Sequence, residues 1–230
     1  MKICGLNKTT LLDYPSHVAA TVFVGGCNFR CPFCHNKDLV LGTGPIPEIP
    51  LQEVLSFLKR RRGILSGVCI TGGEPTLHPQ LPAFIKTIKD FGYCVKLDTN
   101  GTNPGLLKEL LADGLPDCIA MDIKSDREHY AQAAGVKALD LAPIQTSIDL
   151  IRSSGISYEF RTTVVRELHN AEILSGIAEW LDGSHVYFLQ NYRENENVIA
   201  PGFTSYTKQE LETFLPLFEG HIGRTDIRGV

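Results

Sequence analysis

Gly25-Gly26-Cys27-Asn28-Phe29-Arg30-Cys31-Pro32-Phe33-Cys34-His35-Asn36 follows directly on an apolar, β-branched run over 18–24. The spacing C-x3-C-x2-C brings three thiols close in sequence and supplies no obvious fourth. Four cysteines complete the ligation of an iron–sulfur cluster, so a set of three leaves one iron open to an outside ligand. An open coordination position marks a site built for chemistry, as it does in catalytic as opposed to structural zinc sites. Zinc itself would recruit His35 as the fourth ligand, and a ligand adjacent to Cys34 suits typical zinc spacing poorly.

Around this loop short β-type runs alternate with helical periodicities, the pattern of a parallel α/β architecture. Strands are expected over 18–24, 67–71, 93–98, 117–123, 157–165 and 185–190. Between them lie a helix from about Leu51 and one carrying Leu81, Phe84, Ile85, Ile88 and Phe91. Further helices open at Asn103-Pro104, run over 143–154, and start at the cap Asn170. The last opens at the capping box Thr207-Lys208-Gln209-Glu210 and carries Leu211, Phe214, Leu215 and Phe218. About six βα units fall short of a closed eight-stranded barrel. The expected fold class is therefore α/β, an open, partial (β/α)6 TIM-like barrel, with residues 1–230 forming a single domain.

Reactive groups in such barrels collect at the C-terminal ends of the strands. The informative polar clusters fall there: the cysteine loop, Gly72-Gly73-Glu74-Pro75, Asp98-Thr99-Asn100, and Asp122 with Lys124. Taken alone, Gly-Gly-Glu-Pro is an ordinary turn, and an aromatic such as Phe33 belongs as readily in a core. Asp98, Thr99 and Asp122 offer the oxygens that hard cations prefer, and equally the turn chemistry of strand ends. Arg161 lies in an expected strand, where an inward-pointing charge needs a partner.

The bulk properties narrow the class. A hydrophobic content of 43% over 230 residues supports a substantial core. A net charge of -4 without a basic stripe argues against a nucleic-acid surface. Lys59-Arg60-Arg61-Arg62 reads as the last turn of a helix, or as a docking patch. The N-terminus lacks the apolar segment of a signal peptide, and no apolar run is long enough for a bilayer, so a cytoplasmic location and no membrane partner are expected. Cys69, Cys94 and Cys118 read as small hydrophobes in strands. One helix and a Pro/Gly-rich loop are expected between Cys34 and Gly72, with no accessory cluster. A polar segment over 191–206 breaks the alternation, and its part 193–197 reads as a solvated loop or as rim.

The cysteine run with an aromatic before its third cysteine, followed by Gly72-Gly73-Glu74-Pro75, resembles the radical S-adenosylmethionine (SAM) superfamily. Within it, Cys34-His35-Asn36, Asp98-Thr99-Asn100-Gly101 and Met121-Asp122-Ile123-Lys124 resemble the activating enzymes of glycyl-radical proteins. The opening Lys8-Thr9-Thr10-Leu11-Leu12-Asp13-Tyr14-Pro15 resembles the activating proteins of anaerobic ribonucleoside-triphosphate reductase, with Ser16 standing where that resemblance implies glycine.

The resemblance implies that Cys27, Cys31 and Cys34 hold one [4Fe–4S] cluster whose open iron is chelated by the amine and carboxylate of SAM. It implies that Phe33 packs on the adenine, that Gly72 and Gly73 admit the ligand to the backbone, and that Glu74 accepts from the SAM ammonium. Asp98, Thr99 and Asp122 would hold a monovalent cation beside the SAM carboxylate. Lys124, Arg161 and Gln190 would serve as further SAM contacts. The implied reaction is reductive cleavage of SAM to a 5′-deoxyadenosyl radical, which takes hydrogen from a glycine of a partner glycyl-radical enzyme. A flavodoxin- or ferredoxin-like protein would be the reductant. Another activase partner, a small-molecule substrate, or an iron–sulfur electron-transfer or sensing role without SAM remain as alternatives.

Overall fold

The computed structural model describes residues 1–42 and 46–230. In chain order the elements are β1 (Ile3–Thr10), β2 (Ala19–Val24), α1 (Lys37–Leu41), α2 (Leu51–Arg60), β3 (Gly67–Gly72), α3 (Leu81–Asp90), β4 (Cys94–Thr99), α4 (Pro104–Ala112), β5 (Cys118–Asp122), α5 (Tyr130–Ala133), α6 (Ala142–Ser153), β6 (Ser157–Val164), α7 (Ala171–Trp180), β7 (Ser184–Asn191), α8 (Lys208–Glu212) and β8 (Ile222–Arg228). Short 3₁₀ turns lie at Pro75–Leu77 and Leu215–Phe218. The chain divides into two compact units, one of Met1–Asn28, Asp38–Ala120 and Pro143–Ser157, the other of Phe29–Lys37, Met121–Ala142 and Tyr158–Val230.

In the first unit β1 pairs antiparallel with β2, and β2, β3 and β4 run parallel. Ala20, Val22, Val24, Val68, Ile70, Val95 and Leu97 are all fully buried, so these strands carry the near-continuous apolar runs of a covered parallel sheet. Val54 and Leu58 of α2, and Leu81, Phe84, Ile85 and Ile88 of α3, add apolar stripes at helical spacing. One transverse row breaks the rule. Thr21, Cys69 and Lys96 stand in register across β2, β3 and β4, and all three are buried.

In the second unit β6, β7 and β8 are parallel and in register. Phe160, Val164, Tyr187, Leu189 and Phe218 fill its core, with the Tyr187 and Phe218 rings stacked at 4.8 Å. Thr162 passes the Tyr187 hydroxyl's donation on to the Ile123 carbonyl, so this apolar interior leaves no hydroxyl of the pair unmet. Asn170 caps α7 through the Ile173 N–H, and both arms of the Thr207–Glu210 capping box are formed.

All six expected strands are present within a residue or two of their expected bounds. Four elements come in addition. β1 and β8 have few apolar side chains, Asn-Lys-Thr-Thr and Arg-Thr-Asp among them, and they form by backbone pairing that periodicity does not register. α1 and α5 are single turns. Among the described residues two helices, and not one, therefore lie between Cys34 and Gly72, while the expected Pro/Gly-rich loop there falls partly on 43–45, outside the described residues. The final expected helix breaks after Glu212 into the 3₁₀ turn that holds Pro216, because proline lacks the N–H a continuous helix needs. Lys59 and Arg60 form the last turn of α2, as expected. Among the described residues no helix is long and apolar enough to cross a membrane.

Ser16 sits at φ 67°, the one positive φ outside glycine among the described residues. An L-residue there costs about 1–2 kcal/mol, partly offset by the entropy a glycine would lose on folding, about 0.5–1 kcal/mol. Ser16→Gly is expected to raise the unfolding free energy by about 0.5–1 kcal/mol in anaerobic urea titrations. An unchanged or lower midpoint would show that the serine side chain contributes contacts that outweigh the strain.

Candidate functional site

Beyond β3 the chain turns through Gly72-Gly73-Glu74-Pro75. Gly72 lies at φ 116°, and a side chain on it would meet the backbone of Val24. A methyl on Gly73 would collide with the carbonyl of Gly26. The amides exploit the same approach: Gly73 N–H donates to the Val24 carbonyl and Glu74 N–H to that of Gly26, each at 2.8 Å. Two residues without side chains thus let the end of β3 lie directly on the backbone that enters Cys27.

Glu74 is only 1% exposed. Its Oε1 accepts from the Thr76 N–H (3.0 Å), the Thr76 hydroxyl (2.6 Å) and the Thr99 hydroxyl (2.7 Å), and its Oε2 from the Asn100 N–H (2.6 Å). Burial pushes its pKa up while these hydrogen bonds pull the other way. Most of the acceptor capacity of the carboxylate is thus spent on the protein. Asn100 continues the chain of contacts, donating from Nδ2 to Asn28 Oδ1 at 2.8 Å and weakly to Cys27 Sγ at 3.9 Å. Asp98, at the end of β4, takes the Lys96 ammonium at 2.6 Å and the Cys69 thiol at 3.8 Å.

The second unit holds the remainder of the cysteine loop. Cys31 is buried and Cys34 half-buried. Cys34 N–H donates to the Cys31 carbonyl, and Asn36 N–H donates to Cys34 Sγ at 3.4 Å. Burial raises the Cys34 thiol above its ordinary value, so a thiolate there is best formed together with a metal. Residues 193–197 are exposed, as expected of a solvated loop, and the backbone of 197–200 beyond them meets the cysteine loop. Ala200 N–H donates to the Pro32 carbonyl, Ile199 N–H to that of Cys34, and Lys37 N–H to that of Asn197, at 2.8, 3.1 and 3.2 Å. His35 reaches the Arg193 carbonyl through Nε2 and stacks on Tyr192. From another side Arg30 N–H meets the Ala134 carbonyl at 2.9 Å, an approach that only a glycine at 135 allows.

Asp122 closes β5 between two cations, Arg161 Nε at 2.6 Å and Lys124 Nζ at 2.9 Å. Burial alone would raise its pKa, but Arg161 and Lys124 outweigh that and hold it well below the usual carboxylate range. Phe33 is buried, edge-on to His169 and Phe203. His169 is fixed in one tautomer: Nδ1 accepts from the Val165 N–H, so Nε2 carries the proton and donates to the Lys124 carbonyl. Burial keeps this ring neutral by lowering its pKa. Gln190 stands half-buried at the end of β7, in register with Thr163 and Arg228.

Each unit therefore gathers its own share of the expected residues: Cys27, Gly72, Gly73, Glu74, Asp98 and Thr99 in the first, Cys31, Phe33, Cys34, Asp122, Lys124, Arg161 and Gln190 in the second. Thr76 and Asn100 are additions, legible in hindsight from their places beside Glu74 and Thr99. His169 carries no sequence signal, since its partners are distant in the chain. The donors suit an iron–sulfur cluster, being thiols with amide N–H groups directed at two of the sulfurs, a contact that tunes such clusters. Among the described residues no three His, Cys, Asp or Glu side chains close on one metal ion. The fit therefore rests on the chemistry of the donors.

Residues 21–176 match the family model of the radical SAM superfamily. The chain is 30% identical over 201 residues to a Methanocaldococcus jannaschii protein provisionally named a glycyl-radical enzyme activating enzyme, covering 84% of this chain and 81% of that one. It is 32% identical over 128 residues to the pyruvate formate-lyase-activating enzyme of Clostridium pasteurianum, covering 54% of this chain and 52% of that one. Streptococcus suis SuiB bound to S-adenosylmethionine superposes with a TM-score of 0.68 at 13% identity, over 91% of this chain and 52% of that chain. The chain thus spans about half the length of the latter two. The last likeness concerns the fold alone, and it agrees with the expected α/β class of partial barrel.

Gly73→Ala is expected to lower iron and sulfide per chain after anaerobic reconstitution several-fold and to cost about 1–3 kcal/mol of stability. Gly105→Ala is the control, since a methyl there meets only an ordinary contact at 3.7 Å. Equal loading of the two variants would show that the close approach at Gly73 does not shape the cysteine loop.

Proposed function

We propose, since the chain belongs to the radical SAM superfamily, that it is the activating enzyme of a glycyl-radical protein and that this partner is the anaerobic ribonucleoside-triphosphate reductase. The observation that carries the class is the Gly72-Gly73-Glu74 turn laid on the backbone entering Cys27, within a chain that matches a named activating enzyme over most of both lengths. A [4Fe–4S] cluster on Cys27, Cys31 and Cys34 would supply the electron that splits SAM into methionine and a 5′-deoxyadenosyl radical able to take hydrogen from a glycine Cα.

The roles of the chain's own groups follow from their chemistry. Gly72 and Gly73 leave main chain open to close approach by the ligand, and Glu74 holds that turn to the end of β4. Phe33 offers an apolar surface to the adenine. Asp122 holds the cations Lys124 and Arg161 beside the end of β5, and a cation there suits the SAM carboxylate. Gln190 offers an amide for a ribose hydroxyl. Water is kept out by the burial of Cys31 and Phe33 and by the main-chain contacts of 197–200.

Support for a protein partner comes from the segment 8–15 that resembles the reductase activases. It presents Leu11 and Leu12 to solvent, 70% and 86% exposed, while the Thr10 hydroxyl accepts from the N–H groups of Leu12 and Asp13. Ordered leucines at a loop tip are what an interaction surface offers. The electron donor in this reading is a flavodoxin- or ferredoxin-like protein.

Anaerobically reconstituted protein with dithionite and SAM should form 5′-deoxyadenosine, and Cys31→Ala should abolish it. Cluster-loaded protein that leaves SAM intact would sink the reading. Incubation with the anaerobic reductase should then give a glycine-centred doublet in electron paramagnetic resonance. A doublet obtained only with a formate-lyase-type enzyme would move the partner.

A further inference from the structure

Asn100 follows directly on β4 and is buried. Its side-chain oxygen accepts from the Thr102 N–H at 3.0 Å and from the Thr102 hydroxyl at 2.7 Å. A main-chain N–H can only donate, so the amide oxygen faces Thr102 and the amide nitrogen faces the other way. On that side Nδ2 meets Asn28 Oδ1 at 2.8 Å and Cys27 Sγ at 3.9 Å. The Asn28 amide is oriented in turn. Its oxygen receives Asn100, and its nitrogen donates to the Thr102 hydroxyl oxygen at 2.9 Å. Thr102 passes its own hydroxyl proton back to Asn100. The three side chains thus form a closed ring in which the donors all point the same way round. The ring and Cys27 lie together in the first unit.

An amide nitrogen carries two protons. On Asn100 one of them serves the ring through Asn28, and the other is the one within reach of the Cys27 sulfur. To a neutral thiol this is a weak contact. Metal coordination deprotonates a thiol outright, and the resulting charged sulfur is a stronger acceptor for the same N–H. The main chain is anchored as well, since the Asn100 N–H donates to Glu74 Oε2 at 2.6 Å. Both ends of the residue are therefore fixed, and hydrogen bonds linked in series reinforce one another away from water.

We propose that the ring of Asn28, Asn100 and Thr102 aims an amide N–H at the Cys27 sulfur and so raises the reduction potential of the cluster. The proposal rests on the reading above, in which Cys27 is a cluster ligand. One electron from the flavodoxin- or ferredoxin-like donor, or from dithionite, leaves the reduced cluster with one more negative charge. A donor N–H close to a ligand sulfur is favourable in both states and more so in the reduced one, which is why such contacts shift potentials. The ring thereby sets how much of the protein stands reduced at a given donor potential. The sulfur makes further contacts as well, and the proposal concerns the share that Asn100 contributes.

The test is a potentiometric titration of anaerobically reconstituted protein, read by the electron paramagnetic resonance of the reduced cluster. At a fixed solution potential Asn100→Ala should lower the ratio of reduced to oxidised cluster about three- to tenfold, the size of one net hydrogen bond. Asn28→Ala, at an exposed position, opens the ring but keeps the Asn100 amide, and should lower the ratio about twofold. Asn103→Ser is the control. The Asn103 amide donates to the Thr76 carbonyl, serine preserves the cap on α4, and the ratio should match the wild type. An amide with a merely structural role would alter stability or cluster loading and leave the potential of loaded protein where it was. A fully loaded Asn100→Ala protein with the wild-type ratio, or with a higher one, would overturn the proposal, as would an equal shift in Asn103→Ser. Should Asn100→Ala take up no cluster, Asn28→Ala decides, and a wild-type ratio there overturns the proposal too. Wild-type protein that takes up no cluster, or Cys27→Ala protein with a full complement of iron and sulfide, strikes the reading of Cys27 as a ligand instead.

Discussion

A carboxylate taken out of water must find donors, and Glu74 finds four of them. Two come from Thr76 in its own turn and two from Thr99 and Asn100 after the next strand. The ends of β3 and β4 are consequently one hydrogen-bonded object. Asn100 extends it to Asn28 and Cys27, so the first thiol inherits its position from a residue far from it in sequence. Removing one partner of such a set leaves the others unmet at low dielectric, which makes the arrangement stiff.

The glycines on either side of this carboxylate act by another route. Gly72 and Gly73 have no side chain, and that permits the backbones of two strand ends to touch. Gly135 does the same for the Arg30 carbonyl in the second unit. The cysteine loop is thereby shaped mostly by main chain meeting main chain.

Sequence periodicity made the six principal strands legible because β2 to β7 carry buried Val, Ile, Leu and aromatic runs, and the caps Asn103, Asn170 and Thr207 marked helix starts by local hydrogen bonds. β1 and β8 escaped because strand pairing satisfies backbone groups whatever the side chains are. The three spaced thiols and the Gly-Gly-Glu turn were legible as local motifs. What Glu74 and Asp98 bind was not: each is answered by a neighbour two residues away in the chain, Thr76 and Lys96, as well as by residues from other elements. Pattern reading treats such groups as open to a ligand, whereas burial makes the nearest donor the first claimant. His169 and the pairing of 197–200 with the cysteine loop lay beyond any motif, since they arise only when distant segments are brought together.

The hydrogen bonds by which the segment 197–200 holds the loop are made by carbonyl and amide groups of the main chain. Its grip is therefore indifferent to most of what evolution can change there. The side chains of Asn197, Ile199 and Ala200 can drift in size and polarity while the loop keeps its course. Proline at 199 or 200 is the exception, because it removes the one atom the contact requires. A segment whose side chains vary can in this way still fix the course of the loop that carries the thiols.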